Sequence, residues 1–316
     1  MNPSVVLLPN WIGDLLLALS IVMRLPEDRR STTTLLVPKK MGGLVRLLCD
    51  LPQIAFDRAD GGERKRTLSM VRAVGFRTIY LLPYSFSSAW FALKSGVPER
   101  RGLSLEMRRI LLSEPLEGSL RDKSHHITSE YARILDTPFM PPESWEGIKI
   151  KPDESHAGSI VYCPGAAYGP SKKWPYFPEL ALLQDGRDIV VLGTPADGES
   201  AREISRMAPG KVLDLTGKTS LTEAAAIMAG ARAVVSNDSG LMHLAAFIGA
   251  PVVGIFGSTS PTWTRPLGRQ SVIMYAAEPC SPCFRRTCRY GHYRCFEKIS
   301  ATAVAQAVES LHSGGG

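Results

Sequence analysis

The sequence lacks an apolar run long enough to cross a bilayer. Its longest such run near the start, residues 15–23, is well short of the roughly 20 residues that a spanning helix needs. The residue before this run is Asp14, whereas a secretory signal would place basic residues there. We therefore expect neither a transmembrane helix nor a signal peptide, and we expect a cytoplasmic protein.

Acidic residues are scarce relative to basic ones. The chain has 30 Asp and Glu against 37 Lys and Arg, which gives a net charge of +7. A positive field attracts anions, and this balance fits a nucleotide, a nucleic acid or an acidic membrane surface as partner. The charge alone does not decide between them.

A Walker phosphate-binding loop and short repeats are also missing. At 316 residues the chain exceeds the size of most single cores, which favours two domains of about 150 residues. Short apolar runs alternate with helical patterns, and such runs are typical of parallel strands covered on both faces, so the predicted class is α/β with doubly wound sheets. The predicted strands are 5–8, 34–37, 78–82, 160–163, 189–192, 212–215, 233–236, 252–256 and 272–275, and the predicted helices include 14–24, 129–135, 199–207 and 221–229.

A Pro-rich and polar stretch over residues 136–158 interrupts this alternation and is typical of a linker. It divides the chain into a first domain of residues 1–150 and a second of residues 151–312. The cleft between two such domains is the expected ligand site. The Gly-rich tail, residues 313–316, is expected to be disordered.

The most informative pattern is the segment SNDSGLMH at residues 236–243. An apolar strand places Asn237, Asp238 and Ser239 at its carboxyl end, and Gly240 then begins a helix whose first turn has free backbone N–H groups. The strand at 252–256 ends in another small-residue turn, Gly-Ser-Thr-Ser. Two such strand ends side by side predict a phosphate site of the kind found in nucleotide-binding sheets.

Three further side chains are candidates for chemistry. Asp14 follows the first strand in the segment PNWIGD, and it is either a helix N-cap or a general base for an attacking hydroxyl. Lys172 and Lys173 lie in the loop after the strand at 160–163, as a solvated pair or as cations for a diphosphate. His243 either faces the phosphates or bonds a backbone carbonyl.

Four cysteines, Cys280, Cys283, Cys288 and Cys295, are close together in the sequence. Their spacing fits zinc or an iron–sulfur cluster, but reduced thiols packing a compact loop explain it as well. Basic runs at 64–66, 100–101 and 108–109 have two explanations of their own, a solvated face or a grip on an anionic acceptor.

Four motifs, at residues 9–14, 164–174, 237–243 and 256–259, occur in the order and spacing of the lipopolysaccharide heptosyltransferases, glycosyltransferase family 9. The resemblance covers residues 4 to 312. The Cys-rich segment with Tyr290, Gly291 and His292 is most similar to the heptosyltransferase II branch. Family members commonly have Thr where this chain has Ser239, which keeps the hydroxyl and loses a methyl group.

The resemblance implies a GT-B fold with two Rossmann-like domains, the first for the acceptor and the second for the nucleotide-sugar donor. It implies inverting, metal-independent transfer of heptose from ADP-L-glycero-D-manno-heptose to a heptose of the inner core. Asp14 would be the base and Lys172 the cation that stabilises the leaving diphosphate. The donor-binding residues would be Ser171, Glu199, Thr219, Asp238, Ser239, Gly240, Leu241 and His243. The acceptor-binding residues would be Gly13, Arg64, Lys65, Arg66 and Arg101.

The implied partners are ADP-heptose, a Kdo-lipid A-linked heptose acceptor and, peripherally, the inner face of the cytoplasmic membrane. No cofactor, no metal and no nucleic acid are expected. The carboxylate of Asp238 is expected to accept from backbone N–H groups or from a sugar hydroxyl, because an anion would not face the phosphate directly. The alternatives are a heptosyltransferase I-like or other nucleotide-sugar transferase of the same fold and, remotely, a zinc-containing nucleic-acid-binding protein.

Overall fold

The computed structural model describes residues 3–119, 122–184 and 186–313 of the chain. They form two compact units, Met1–Met140 and Pro141–Gly316. Each unit is built around a six-stranded parallel sheet, in agreement with the predicted α/β class. No helix in the described ranges is both long and apolar enough to cross a membrane.

The sheet of the first unit has the order β3-β2-β1-β4-β5-β6. From β1 the chain adds β2 and β3 on one side, and it then adds β4, β5 and β6 on the other side. The topological switch point therefore lies between β1 and β4. The elements of this unit are β1 Ser4–Leu7, α1 Ile12–Val22, α2 Glu27–Arg30, β2 Thr33–Pro38, α3 Gly42–Leu48, β3 Gln53–Phe56, α4 Gly61–Val74, β4 Thr78–Leu81, α5 Phe86–Ser95, β5 Glu99–Leu103, β6 Glu114–Leu116 and α6 Ile127–Ile134.

The second unit repeats this plan with the order β12-β11-β10-β7-β8-β9. Its strands β7, β10 and β11 are buried along their whole length, as their apolar runs predicted. The elements are β7 Ile160–Cys163, α7 Phe177–Leu182, β8 Ile189–Val191, α8 Gly198–Met207, β9 Val212–Asp214, α9 Leu221–Gly230, β10 Ala233–Asn237, α10 Gly240–Phe247, β11 Val252–Phe256, α11 Pro261–Thr264, β12 Ser271–Tyr275, α12 Arg294–Glu297 and α13 Ala301–Ser313.

The boundary between the units lies between Met140 and Pro141, ahead of the predicted position after residue 150. The predicted linker packs on the second unit because it carries an aromatic anchor. The indole N–H of Trp145 donates to the carbonyl of Phe247 at 2.8 Å, and the two rings lie 4.8 Å apart. Of the tail expected to be disordered, Ser313 ends α13 and residues 314–316 lie outside the described ranges.

Candidate nucleotide site and candidate base

The nucleotide-site prediction rests on three strands that are neighbours in the second sheet. β10 lies between β7 and β11, with Ser236 opposite Cys163 and Asn237 opposite Ile255. The loops that follow these strands therefore emerge side by side at one edge of the sheet. The expectation that the two strand ends are adjacent is confirmed, and α10 begins at the same edge with Gly240.

Lys172, Asp238 and Thr259 form a polar cluster at this edge, in which Asp238 and Thr259 are buried and Lys172 is half-buried. The Lys172 ammonium lies 2.6 Å from Asp238 Oδ2, and the Thr259 hydroxyl donates to the same oxygen at 2.5 Å. The aromatic ring of Tyr168 lies 5.1 Å below the ammonium. The contacts seen at Asp238 Oδ2 come from a cation and a hydroxyl of the neighbouring loops. The expected acceptance from backbone N–H groups or from a sugar hydroxyl stays a prediction.

His243 completes the cluster from the first turns of α10. Its Nε2 lies 3.9 Å from Asp238 Oδ1, and the residue is 5% exposed. Burial lowers the pKa of His243 to about 4, with the Asp238 charge opposing this shift and the Lys172 charge adding to it. The imidazole is therefore neutral at physiological pH. Its Nδ1 has no hydrogen-bond partner among the described residues, so neither a backbone carbonyl nor another side chain occupies it.

Asn237 fixes the loop that carries Lys172. Its side-chain oxygen accepts from the backbone N–H of Trp174 at 3.0 Å, and its amide nitrogen donates to the carbonyl of Pro164 at 2.7 Å. Both ends of the loop are thereby attached to the end of β10. At the start of this loop a Cβ on Gly165 would lie 2.4 Å from Asp197 Oδ2, so only glycine fits there.

The other predicted donor-binding residues are distributed along the same edge. Ser239, with its hydroxyl 3.2 Å from that of Ser236, precedes α10, and Leu241 is half-buried in its first turn. Glu199 is exposed in the first turn of α8, and Thr219 lies just before α9. Ser171 differs, since its hydroxyl donates to the carbonyl of Arg285 and is buried. Its observed contacts hold the loop together.

Asp14 lies in the first turn of α1 in the first unit. The N-cap of this helix is Trp11, so the interpretation of Asp14 as an N-cap is wrong. Burial, and then the charge of Asp14 among other groups, raises the pKa of both Tyr84 and Tyr131. The charge of Asp14 therefore acts on this pair of stacked phenols, whose rings are 6.3 Å apart.

Beside the end of β1, the lining of a groove of about 570 Å³ includes Asn10, the acid Asp57 and three basic residues, Lys39, Lys40 and Arg58. Arg58 donates to the carbonyl of Leu8, and burial lowers its pKa to about 10, at which it remains a cation. The sequence analysis missed these three basic residues. The sequence feature that could have identified Lys39 and Lys40 is their position directly after a buried strand, where ligand-binding loops of parallel sheets begin.

The predicted acceptor-binding residues do not all lie at this groove. Arg64 lines an adjoining groove that shares Arg58, whereas Lys65 and Arg66 are exposed on α4. Gly13 is in the first turn of α1 next to Asp14. Arg101 is in β5, where it pairs with Glu114 at 2.9 Å and with Asp136 at 3.5 Å, a structural role that the sequence did not reveal.

The four clustered cysteines line one cavity of about 510 Å³ in the second unit. Backbone N–H groups, that of Tyr293 first, lower the pKa of Cys288. Burial, and then the three neighbouring thiols, raises the pKa of Cys295 to about 11. Within the described ranges, no group of three or more His, Cys, Asp or Glu side chains is arranged to hold a metal ion.

The loop that carries these cysteines also supports the loop that carries Lys172, since the backbone N–H of Ser171 donates to the carbonyl of Arg286 at 3.2 Å.

Comparison with known protein families identifies the family of the chain. The model of glycosyltransferase family 9 (heptosyltransferase) matches residues 64–294. The chain belongs to this family. It is therefore a glycosyltransferase, and its two Rossmann-like units are those of the GT-B fold, as the resemblance predicted.

Individual relatives agree with the family assignment. Lipopolysaccharide heptosyltransferase 2 of Escherichia coli K12 is 28% identical, over 84% of this chain and 86% of that protein. Lipopolysaccharide heptosyltransferase 1 of Pseudomonas aeruginosa is also 28% identical, over 79% and 78% of the two chains. The solved structure of E. coli ADP-heptose lps heptosyltransferase II is similar with a TM-score of 0.78 and 26% identity, covering 98% of both chains.

Proposed function

We propose that this family 9 enzyme transfers heptose from ADP-L-glycero-D-manno-heptose to a heptose of the lipopolysaccharide inner core, with inversion at the anomeric carbon. The observation that carries the proposal is the cluster of Lys172, Asp238 and Thr259 at the N-terminus of α10, in a member of a heptosyltransferase family. The relatives named as heptosyltransferase 2 favour addition of the second heptose of the inner core over addition of the first.

In the proposed reaction, Asp14 takes the proton from an acceptor hydroxyl. The oxygen forms a bond to the anomeric carbon of the donor as the bond from that carbon to the diphosphate oxygen breaks, and ADP leaves. Negative charge grows on the diphosphate during this step. The ammonium of Lys172 and the free N–H groups at the start of α10 stabilise that charge. Stabilisation by such preorganised groups is usually the largest single contribution to catalysis.

The remaining predicted partners belong to the same proposal. Lys40, Arg58 and Arg64, together with Lys39, which is paired with Glu63, give the first unit a basic lining suited to the anionic sugars of a Kdo-lipid A-linked acceptor. Such an acceptor is anchored in lipid, so the enzyme would work peripherally at the inner face of the cytoplasmic membrane. We propose that it uses no cofactor, no metal ion and no nucleic-acid partner.

The proposal is tested by release of the nucleotide in a matrix of donors and acceptors. The purified enzyme is given ADP-heptose or a UDP-sugar, together with a Kdo-lipid A acceptor that either carries or lacks the first heptose. We expect ADP release only with ADP-heptose and the heptose-bearing acceptor. Turnover of the acceptor without heptose would support the heptosyltransferase I-like alternative, and turnover of the UDP-sugar would replace the proposed donor.

A further inference from the structure

An exposed apolar patch lies on α5 and on the 3₁₀ turn Arg108–Leu111 of the first unit. Phe86, Trp90 and Leu93 recur at helical spacing on one face of α5, and each is between 39% and 46% exposed. Met107 and Ile110 on the turn are 90% and 85% exposed. Large exposed apolar side chains clustered on neighbouring segments mark interaction sites.

The turn is held rigidly against the start of α5. The buried guanidinium of Arg108 donates to the carbonyl of Pro83 at 2.6 Å and to the hydroxyl of Ser88 at 2.9 Å. The carboxylate of Glu106 accepts from the backbone N–H of Phe86 at 3.1 Å. Met107 and Ile110 are therefore presented by a fixed support, and their exposure is a property of the fold.

The charges bordering the patch are mainly positive. The Lys94 ammonium lies 4.9 Å from the centre of the Trp90 ring, and Arg72 of α4 donates to the carbonyl of Lys94. Arg109 is exposed between Met107 and Ile110. Neither segment contains an acid, and Glu106, just before the turn, accepts a hydrogen bond from the backbone N–H of Phe86.

We propose that this surface, defined by Phe86, Trp90, Leu93, Met107 and Ile110, docks on an anionic phospholipid bilayer. Apolar tips enter the boundary between headgroups and acyl chains, a tryptophan suits that boundary, and nearby Lys and Arg side chains attract acidic headgroups. A second copy of the chain fits less well, because an isologous contact would bring the same cations together. The docking proposal rests on the proposed function in one respect, that the acceptor is linked to a lipid.

The test is co-sedimentation with vesicles in the absence of donor and acceptor, so that binding is measured apart from heptose transfer. We expect the full chain to sediment with vesicles of phosphatidylglycerol and phosphatidylcholine, and to bind pure phosphatidylcholine at least tenfold more weakly. A double substitution, Met107→Glu with Ile110→Glu, should reduce binding to the anionic vesicles at least tenfold. It should leave turnover of a delipidated, soluble acceptor unchanged.

The matched control is Met207→Glu with Leu213→Glu, two exposed apolar residues of the second unit that receive the same charges. This variant should bind the anionic vesicles like the native chain. Equal binding of the Met107 and Ile110 variant and the native chain would overturn the proposal. So would loss of a concentration-dependent dimer in that variant with vesicle binding unchanged, since the patch would then be an interface between two copies.

Discussion

Lys172 is held by Asp238 through one of its three ammonium protons, which leaves the others for a ligand. Thr259 donates to the same carboxylate oxygen, so the anion of Asp238 is satisfied from two sides within the protein. Asp238 therefore positions the cation, and the proposed contact with the diphosphate belongs to Lys172. Neutral His243 adds no charge to this balance, because its pKa is lowered to about 4.

Asp14→Asn should reduce heptose transfer by about 10² to 10⁴-fold, because the amide cannot accept the proton of the acceptor hydroxyl. ADP binding should stay within twofold of the native value, since the base acts on the acceptor. The measurements are single-turnover transfer and calorimetric ADP titration. Asp28→Asn, an exposed acid in the first turn of α2, is the control and should leave both unchanged. Substantial activity in Asp14→Asn would remove this residue from the role of base.

Lys172→Ala should lower kcat by about 10² to 10³-fold, because the growing charge on the diphosphate loses a preorganised cation. Lys173→Ala is the matched control. Its ammonium lies 3.6 Å from Asp197 and is partly exposed, so we expect less than a tenfold effect. Urea unfolding of both variants separates catalysis from folding. If Lys172→Ala is unfolded, or if the two lysines have equal effects on kcat, the assigned role is contradicted.

At the scale of elements, apolar runs predicted most of the strands correctly. β7 and β11 have the predicted bounds, and α9 begins at residue 221 as predicted, with a capping box of Ser220 and Glu223. The strands that were missed are β3, β5 and β6. β3 and β6 are the edges of the first sheet. The apolar run of β3 is only three residues long, β6 contains a proline, and β5 begins with Glu-Arg-Arg.

Asn237→Ala should destabilise the second unit by about 2 kcal/mol or more, because the N–H of Trp174 and the carbonyl of Pro164 both lose their buried partner. It should also weaken ADP binding, since the loop that carries Lys172 is no longer attached to β10. Urea unfolding and ADP titration provide the two measurements. Asn10→Ala, at an exposed position three residues after the end of β1, should change stability by less than about 0.5 kcal/mol. Similar stability of the two variants would show that the loop does not depend on Asn237.

At the scale of the whole molecule, two sheets of the same plan carry different chemistry at their carboxyl edges. The first presents Asp14 and a basic groove, and the second presents the polar cluster beside α10. Since the strands of each sheet run parallel, every loop that follows a strand emerges at the same edge of its sheet. Residues distant in sequence therefore collect there, as Lys172 and Thr259 do.

ADP should protect amide hydrogens from exchange in the second unit only. We expect slower exchange in peptides that contain residues 164–174 and 237–243, because bound nucleotide stabilises the state in which these loops are closed on the sheet. Peptides from residues 3–119 should exchange at unchanged rates. Hydrogen exchange followed by mass spectrometry, with AMP as a weaker ligand for comparison, measures this. Protection confined to the first unit would reverse the assignment of donor and acceptor to the two units.

The sequence by itself determined the α/β class, the parallel sheets and the segments after β1, β7, β10 and β11, because apolar periodicity, Gly and capping residues act locally. Only the tertiary structure decided which side chains meet. Asp238 bonds to Thr259 from the next strand, Arg108 is buried beneath an apolar turn, and the cysteines share a cavity. These outcomes depend on burial and on contacts between distant segments, and neither property is encoded in local pattern.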